Sequence, residues 1–157
     1  MLPKTVIGFS ASDIEYYWQM LAWKGKEGID FFFTDCRLDE ESDREDEENI
    51  KAKARQRIGN AGKYALLIGE DTRYKHKYVQ WEAEVAIEKG CVIVGINLDG
   101  ARQIVESKCP PVLKNIGAVF VPFSPRIIAY ALVNYRKRGQ GNWHFQDGVY
   151  RELGYRI

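Results

Sequence analysis

Short apolar runs alternate along this chain with longer segments whose apolar residues return every three or four positions. The runs are TVIGFS (Thr5 to Ser10), IDFFFTD (Ile29 to Asp35), YALLIGE (Tyr64 to Glu70), VIVGINL (Val92 to Leu98) and AVFVPFS (Ala118 to Ser124). They are apolar throughout rather than alternating, as strands covered on both faces are. Five such strands, each followed by a helix or crossover, predict a parallel sheet with helices on both faces.

The intervening segments carry helix signals. Ser12 and Glu15 have the spacing of a capping box opening a helix from about Asp13 to Lys24, with Ile14, Trp18, Leu21 and Ala22 on one apolar face. The acidic stretch LDEESDREDEEN precedes IKAKARQRIGNAG, so negative charge gathers at a helix start and positive charge toward its end, complementing the helix dipole. Gly59 and Gly62 end that helix. YVQWEAEVAIEKG (Tyr78 to Gly90) forms the next, and Pro125 suits the first turn of a last helix running to about Tyr135. The tail GQGNWHFQDGVYRELGYRI is polar and aromatic without clear periodicity. A division into residues 1–138 and a C-terminal extension, 139–157, packed on the same domain or wrapping a partner, follows from that change.

Composition narrows the classes. The 157 residues suit one domain with a real core, and 45% hydrophobic with 29% charged residues is a globular balance. A net charge of +1 without a basic stripe argues against nucleic-acid or anionic-membrane partners. No apolar run approaches the roughly 20 residues that span a bilayer, and the start MLPKTVIGFS enters a strand pattern rather than a signal peptide. Cys36, Cys91 and Cys109, an odd count without a CxxC pair, fit reduced thiols in the cytoplasm. With His76 and His144 the only histidines, far apart in sequence, no metal site is expected.

In a parallel sheet of this kind, ligands collect outside the C-terminal strand edges where the crossover direction reverses. The segments placed there are FSASD, TDCRLDEES and GEDTRYKHKYVQWE. Neither G-x-x-x-x-G-K-[ST] nor G-x-G-x-x-G is present, which removes the ordinary ATPase and dehydrogenase readings, and no G-x-S-x-G elbow supports a Ser–His–Asp triad. Glu82 stands out instead. On a helical wheel Val79, Ala83, Ala86 and Ile87 face the sheet, Gln80, Glu84 and Glu88 face outward, and Glu82 falls at the border, near a helix start whose dipole favours a carboxylate. A carboxylate held beside aromatic surface suits the stabilisation of positive charge as a glycosidic bond breaks. A partly exposed glutamate at a helix start, with no chemical task, has the same sequence signature.

The blocks FSASD, FFFTD, ALLIGEDT and YVQWE, in this order and spacing, resemble the TIR-like domain family of Thoeris anti-phage ThsB proteins over about Lys4 to Leu98. The third-strand and helix block carries most of that resemblance. It implies a flavodoxin-like/TIR-like three-layer sandwich with a five-stranded parallel sheet. It also implies an enzyme that cleaves the nicotinamide–ribose bond of NAD, as substrate and not cofactor, with Glu82 catalytic. The product would be a cyclic ADP-ribose-type nucleotide that diffuses to an effector protein, and activity would accompany assembly into a homo-oligomer or filament.

Around such a site Phe9 would stack on substrate and Ser10 would hydrogen-bond to it, with Asp13, Asp35, Gly69 and Thr72 as further substrate-binding candidates. Each also has a structural reading: Ser10 as a loop hydroxyl, Asp13 as a first-turn charge, Asp35 and Thr72 as caps, Gly69 as a turn. Trp81 points away from the sheet, toward packing or a subunit contact. Arg37 and Arg73 are the cations at the strand ends available to a pyrophosphate. Two other classes stay open: a non-enzymatic TIR or receiver-like interaction module using the acidic loop and aromatic tail, and a flavodoxin-like binder of another nucleotide.

Overall fold

A computed structural model describes residues 5–23, 33–34, 46–74 and 78–156. Its centre is one all-parallel sheet built from β1 (Thr5–Gly8), β2 (Phe33–Thr34), β3 (Lys63–Ile68), β4 (Val92–Asn97), β5 (Ala118–Pro122) and β6 (Asn142–Trp143), in the order β2-β1-β3-β4-β5-β6. The five expected strands are there, β1, β3, β4 and β5 each shorter than its apolar run, and the tail adds a sixth. After β1 the chain places β2 on one side and β3 on the other, so the crossover direction reverses between β1 and β3. That is where a ligand crevice forms in such sheets.

Alternation along the strands divides the core between two faces. Tyr64, Leu66 and Ile68 of β3 join Val6, Ile93, Ala118 and Phe120 under α2 (Glu47–Ile58) and α3 (Tyr78–Glu88). Ala65 and Leu67 join Ile7, Val94, Ile96, Val119 and Val121 under α1 (Ile14–Trp23), α4 (Pro125–Asn134) and α5 (Asp147–Glu152). Both faces being covered, β1, β3, β4 and β5 have no solvent side, which is why their sequences lack polar alternation.

The helices α2 and α4 follow their signals. Asp46 caps α2 by accepting from the Asn49 N–H at 2.9 Å, and Gly59, at φ +49°, ends it. Removing that acceptor in Asp46→Ala should cost about 1 kcal/mol of unfolding free energy, measured by urea denaturation. Pro125 stands in the first turn of α4 with Ser124 before it.

Helix α1 corrects two expectations. Ser12 does not cap it: the residue lies inside a 3₁₀ turn, Ala11–Asp13, and its hydroxyl donates to Asp71 Oδ2 at 2.7 Å. The buried face is Tyr17 and Met20, while Trp18 and Leu21 are 53% and 37% exposed. The turn in front of the helix rotates it, bringing Asp13, Tyr17 and Met20 inward together.

The tail is stitched to the sheet by polar groups. Gly117 N–H donates to the Gly141 carbonyl at 2.9 Å, Gly141 N–H to Asn115 Oδ1 at 2.9 Å, and Asn115 N–H to Asn142 Oδ1 at 2.7 Å. Gly117 sits at φ +88°, where a Cβ would lie 1.9 Å from the Arg138 carbonyl oxygen, so only glycine passes there. Beyond β6, Tyr150 of α5 is buried against the α4 face, with the Arg102 guanidinium 4.2 Å from its ring centroid.

Candidate active site

Past the end of β1, Ser10 and Asp13 turn back over the rim of the sheet and meet the loop that follows β3. Both are buried, as is Thr72. The Thr72 oxygen accepts from the buried Gly69 N–H at 2.8 Å and lies 3.4 Å from both Asp13 Oδ2 and the Leu67 carbonyl. Gly69 has a specific reason to be glycine: a Cβ there would fall 2.6 Å and 2.7 Å from the two Asp13 carboxylate oxygens. Ser10 Oγ lies 3.0 Å from Ser12 Oγ and donates to Asp71 Oδ2 at 3.5 Å. Four of the candidates read from sequence, Ser10, Asp13, Gly69 and Thr72, are thus one cluster. Thr72→Val would leave the buried Gly69 N–H without its acceptor, and a loss of about 1–3 kcal/mol is expected in urea denaturation.

Beside this cluster a cavity of about 450 Å³ opens at the C-terminal ends of β3 and β4. Asp13, Tyr16, Gly69, Asp71, Asp99 and Lys108 are among its lining residues. Lys108 reaches Glu70 Oε1 at 2.8 Å and Asp99 Oδ2 at 3.0 Å, tying the ends of the two strands together. The Glu70 and Asp99 carboxylates raise its pKa, holding it charged. Neither Asp99 nor Lys108 stands out in the sequence, because the connection after β4 has no motif and only the fold carries it to the rim. Arg73 turns elsewhere, donating to the Ser107 carbonyl and lying over the Tyr74 ring.

Phe9 stands apart from the cavity. Its ring stacks on Tyr17 at a centroid distance of 4.7 Å and an interplanar angle of 21°, between sheet and α1. Asp35, Cys36 and Arg37 lie outside the described residues. Cys91 and Cys109 are free and buried, and burial pushes the Cys109 thiol up to about 12.

Glu82 occupies a different place from the rim cluster. Helix α3 buries Val79, Ala83, Val85 and Ala86, and Glu82 with them at 3% exposure, more deeply than its border position on the wheel predicts. The Tyr64 hydroxyl donates to its Oε1 at 2.6 Å. Both groups fill space that Gly8 leaves empty, since a Cβ on Gly8 would lie 2.0 Å from Tyr64 Oη and 2.6 Å from Glu82 Oε1. Burial pushes the carboxyl from 4.5 to about 7, against the Tyr64 hydrogen bond and the positive charge of Arg57, which both favour the ionised form. The carboxylate therefore lies below the last residue of β1, on the α3 face, and is not among the residues lining the rim cavity.

An α/β protein with this strand order and a polar crevice at its reversal point is a flavodoxin-like, TIR-like domain. The family described as Thoeris protein ThsB, TIR-like domain, matches residues 7–103, and the chain belongs to that family. No curated protein matches it. Membership gives the chain a role in anti-phage defence. The match runs from the end of β1 through α1, β2, α2, β3, α3 and β4, hence across every part of the rim cluster and Glu82, and stops short of Lys108. No described helix is long and apolar enough to cross a membrane.

Proposed function

We propose that the protein processes NAD, cleaving its nicotinamide–ribose bond and making a cyclic ADP-ribose-type nucleotide that reaches an effector protein by diffusion. The observation that carries this reading is the buried, titratable Glu82 carboxylate under the end of β1, in a domain of this family. Nicotinamide is already cationic in NAD, so the glycosidic C–N bond breaks with its electron pair going to the ring nitrogen, and a neutral pyridine departs. No strong general acid is needed. The ribose is left as an oxocarbenium ion, which an ionised Glu82 stabilises while accepting from a ribose hydroxyl. Water then captures the cation to give ADP-ribose, or a nitrogen or hydroxyl of the same nucleotide closes a ring.

The rim pocket would hold the nucleoside, with Ser10, Asp13, Gly69 and Thr72 shaping it. Its carboxylates favour a cationic ring and sugar hydroxyls over a pyrophosphate. At 3% exposure Glu82 meets a substrate only after the end of β1 or the start of α3 shifts. A silent state that opens on assembly into a homo-oligomer or filament accounts for such a requirement, and would keep a cytoplasmic NAD consumer quiet before infection. Exposed Trp18 and Leu21 on α1 supply apolar surface for that assembly. Mass spectrometry of the products from NAD, with the purified protein alone and with phage-infected lysate, tests the proposal. Nicotinamide and a new adenine nucleotide are expected under at least one condition; neither product under either condition contradicts it.

A further inference from the structure

Tyr64 attracts no notice in the sequence, where it opens a strand of ordinary apolar residues. In the fold it is fully buried, and it is the residue that bonds directly to Glu82. The parallel register pairs Tyr64 with Val6 and Leu66 with Gly8, so the ring starts level with Val6 and reaches two residues along β1 to the gap at Gly8. There its hydroxyl meets the carboxylate that α3 brings from the other side. Three elements, β1, β3 and α3, thus contribute an absent side chain, a phenol and an acid to one point.

We propose that Tyr64 is the positioning residue for Glu82, its hydroxyl holding Oε1 in the space left by Gly8 so that Oε2 is the oxygen offered to a substrate. The inference rests on the catalytic reading of Glu82. A tyrosine serving only to fill the core would work equally well as phenylalanine. A tyrosine that orients a carboxylate also sets when that carboxylate ionises, because its hydrogen bond favours the charged form. Among the described residues, the charged and titratable groups acting on the pair are Arg57 from α2, which favours ionised Glu82, and Cys91 before β4, which acts on Tyr64. Gly8 contributes no charge. Burial, and then the neighbouring Glu82, raise the Tyr64 pKa well above 10, so the phenol stays a donor at any working pH.

The test is Tyr64→Phe, read in two ways. Carbon-13 NMR of glutamate-labelled protein, with the Glu82 carboxyl assigned by its loss in Glu82→Gln, measures ionisation without any substrate. Its midpoint should move upward by about one pH unit. In nicotinamide release from NAD, the rising limb of the pH profile should move by the same amount. At pH 7, close to the wild-type midpoint, kcat should then fall about fivefold with KM little changed. Biosynthetic fluorotyrosine, a stronger donor, should move the midpoint downward in wild type and leave it in place in Tyr64→Phe. That arm keeps the inference testable should Tyr64→Phe lower stability. An unmoved carboxyl midpoint in the NMR titrations overturns the role of Tyr64. Absence of nicotinamide release in the wild type instead overturns the catalytic reading of Glu82, and the NMR titration still decides what Tyr64 does.

Discussion

Glu82 is expected to make the wild-type protein less stable as pH rises from about 4.5 to about 7, and Glu82→Gln to abolish that contribution. In the unfolded chain the carboxyl ionises near 4.5, whereas burial delays ionisation in the fold to about 7. Between these values the folded protein holds a proton that the unfolded chain has released. Folding stability attributable to this group is therefore full below 4.5 and falls as pH rises through the window, and above about 7 the whole loss has accrued. The displacement corresponds to on the order of 3 kcal/mol, a large share of a typical domain's stability. Glutamine keeps the acceptor for Tyr64 and cannot ionise. Urea unfolding of wild type and variant at pH 5, 6, 7 and 8 should show a difference that grows with pH and then levels off. A pH-independent difference would mean that the carboxylate is solvated after all.

Gly8→Ala should be the most damaging change of a single methyl group near the site. The new Cβ would lie 2.0 Å from Tyr64 Oη, 2.7 Å from Tyr64 Cζ and 2.6 Å from Glu82 Oε1. None of these atoms has room to retreat, since Tyr64 is fully buried between sheet and helices and Glu82 is nearly so. Either the strand shifts or the Tyr64–Glu82 hydrogen bond breaks, which adds a buried, poorly satisfied acid to the cost of overpacking. A loss of about 4 kcal/mol is expected, equivalent to a fall in Tm of roughly 10 °C for a chain of this size. Shortening the facing ring in the double variant Gly8→Ala/Tyr64→Leu should recover part of it. A Gly8→Ala protein as stable as wild type would show that the three groups do not share this space.

The fold was legible because its strands are covered on both sides. Runs such as Tyr64 to Ile68 and Val92 to Ile96 carry no charged or amide side chain to break the apolar pattern. Helix α3 was legible for the same reason, through Val79, Ala83 and Ala86. Helix α1 was not, because its hydrophobic residues exceed its buried ones. The wheel groups Trp18 and Leu21, yet the turn at Ala11–Asp13 sends Tyr17 and Met20 inward. Strand β6 has two exposed residues and owes its place to Asn115 and Gly141, interactions that no local pattern encodes.

At the site, Ser10, Asp13, Gly69 and Thr72 could be named from strand ends alone, since chain topology brings strand ends to one rim. What stayed hidden depends on contacts distant in sequence. The depth of Glu82 follows from a missing side chain at Gly8, and its setting from a tyrosine on another strand. Lys108 comes from an unpatterned loop. Such pairings are invisible to a helical wheel, which knows only one element at a time.

The deciding comparison is nicotinamide released from NAD by wild type and by Glu82→Gln, under whichever condition activates the wild type, at pH 8 where the carboxyl is ionised. Wild type should release nicotinamide. Glu82→Gln, folded and bonded to Tyr64 as before, should fall by about 10³-fold or more. Equal rates from the two proteins would contradict the assignment of the chemistry to Glu82.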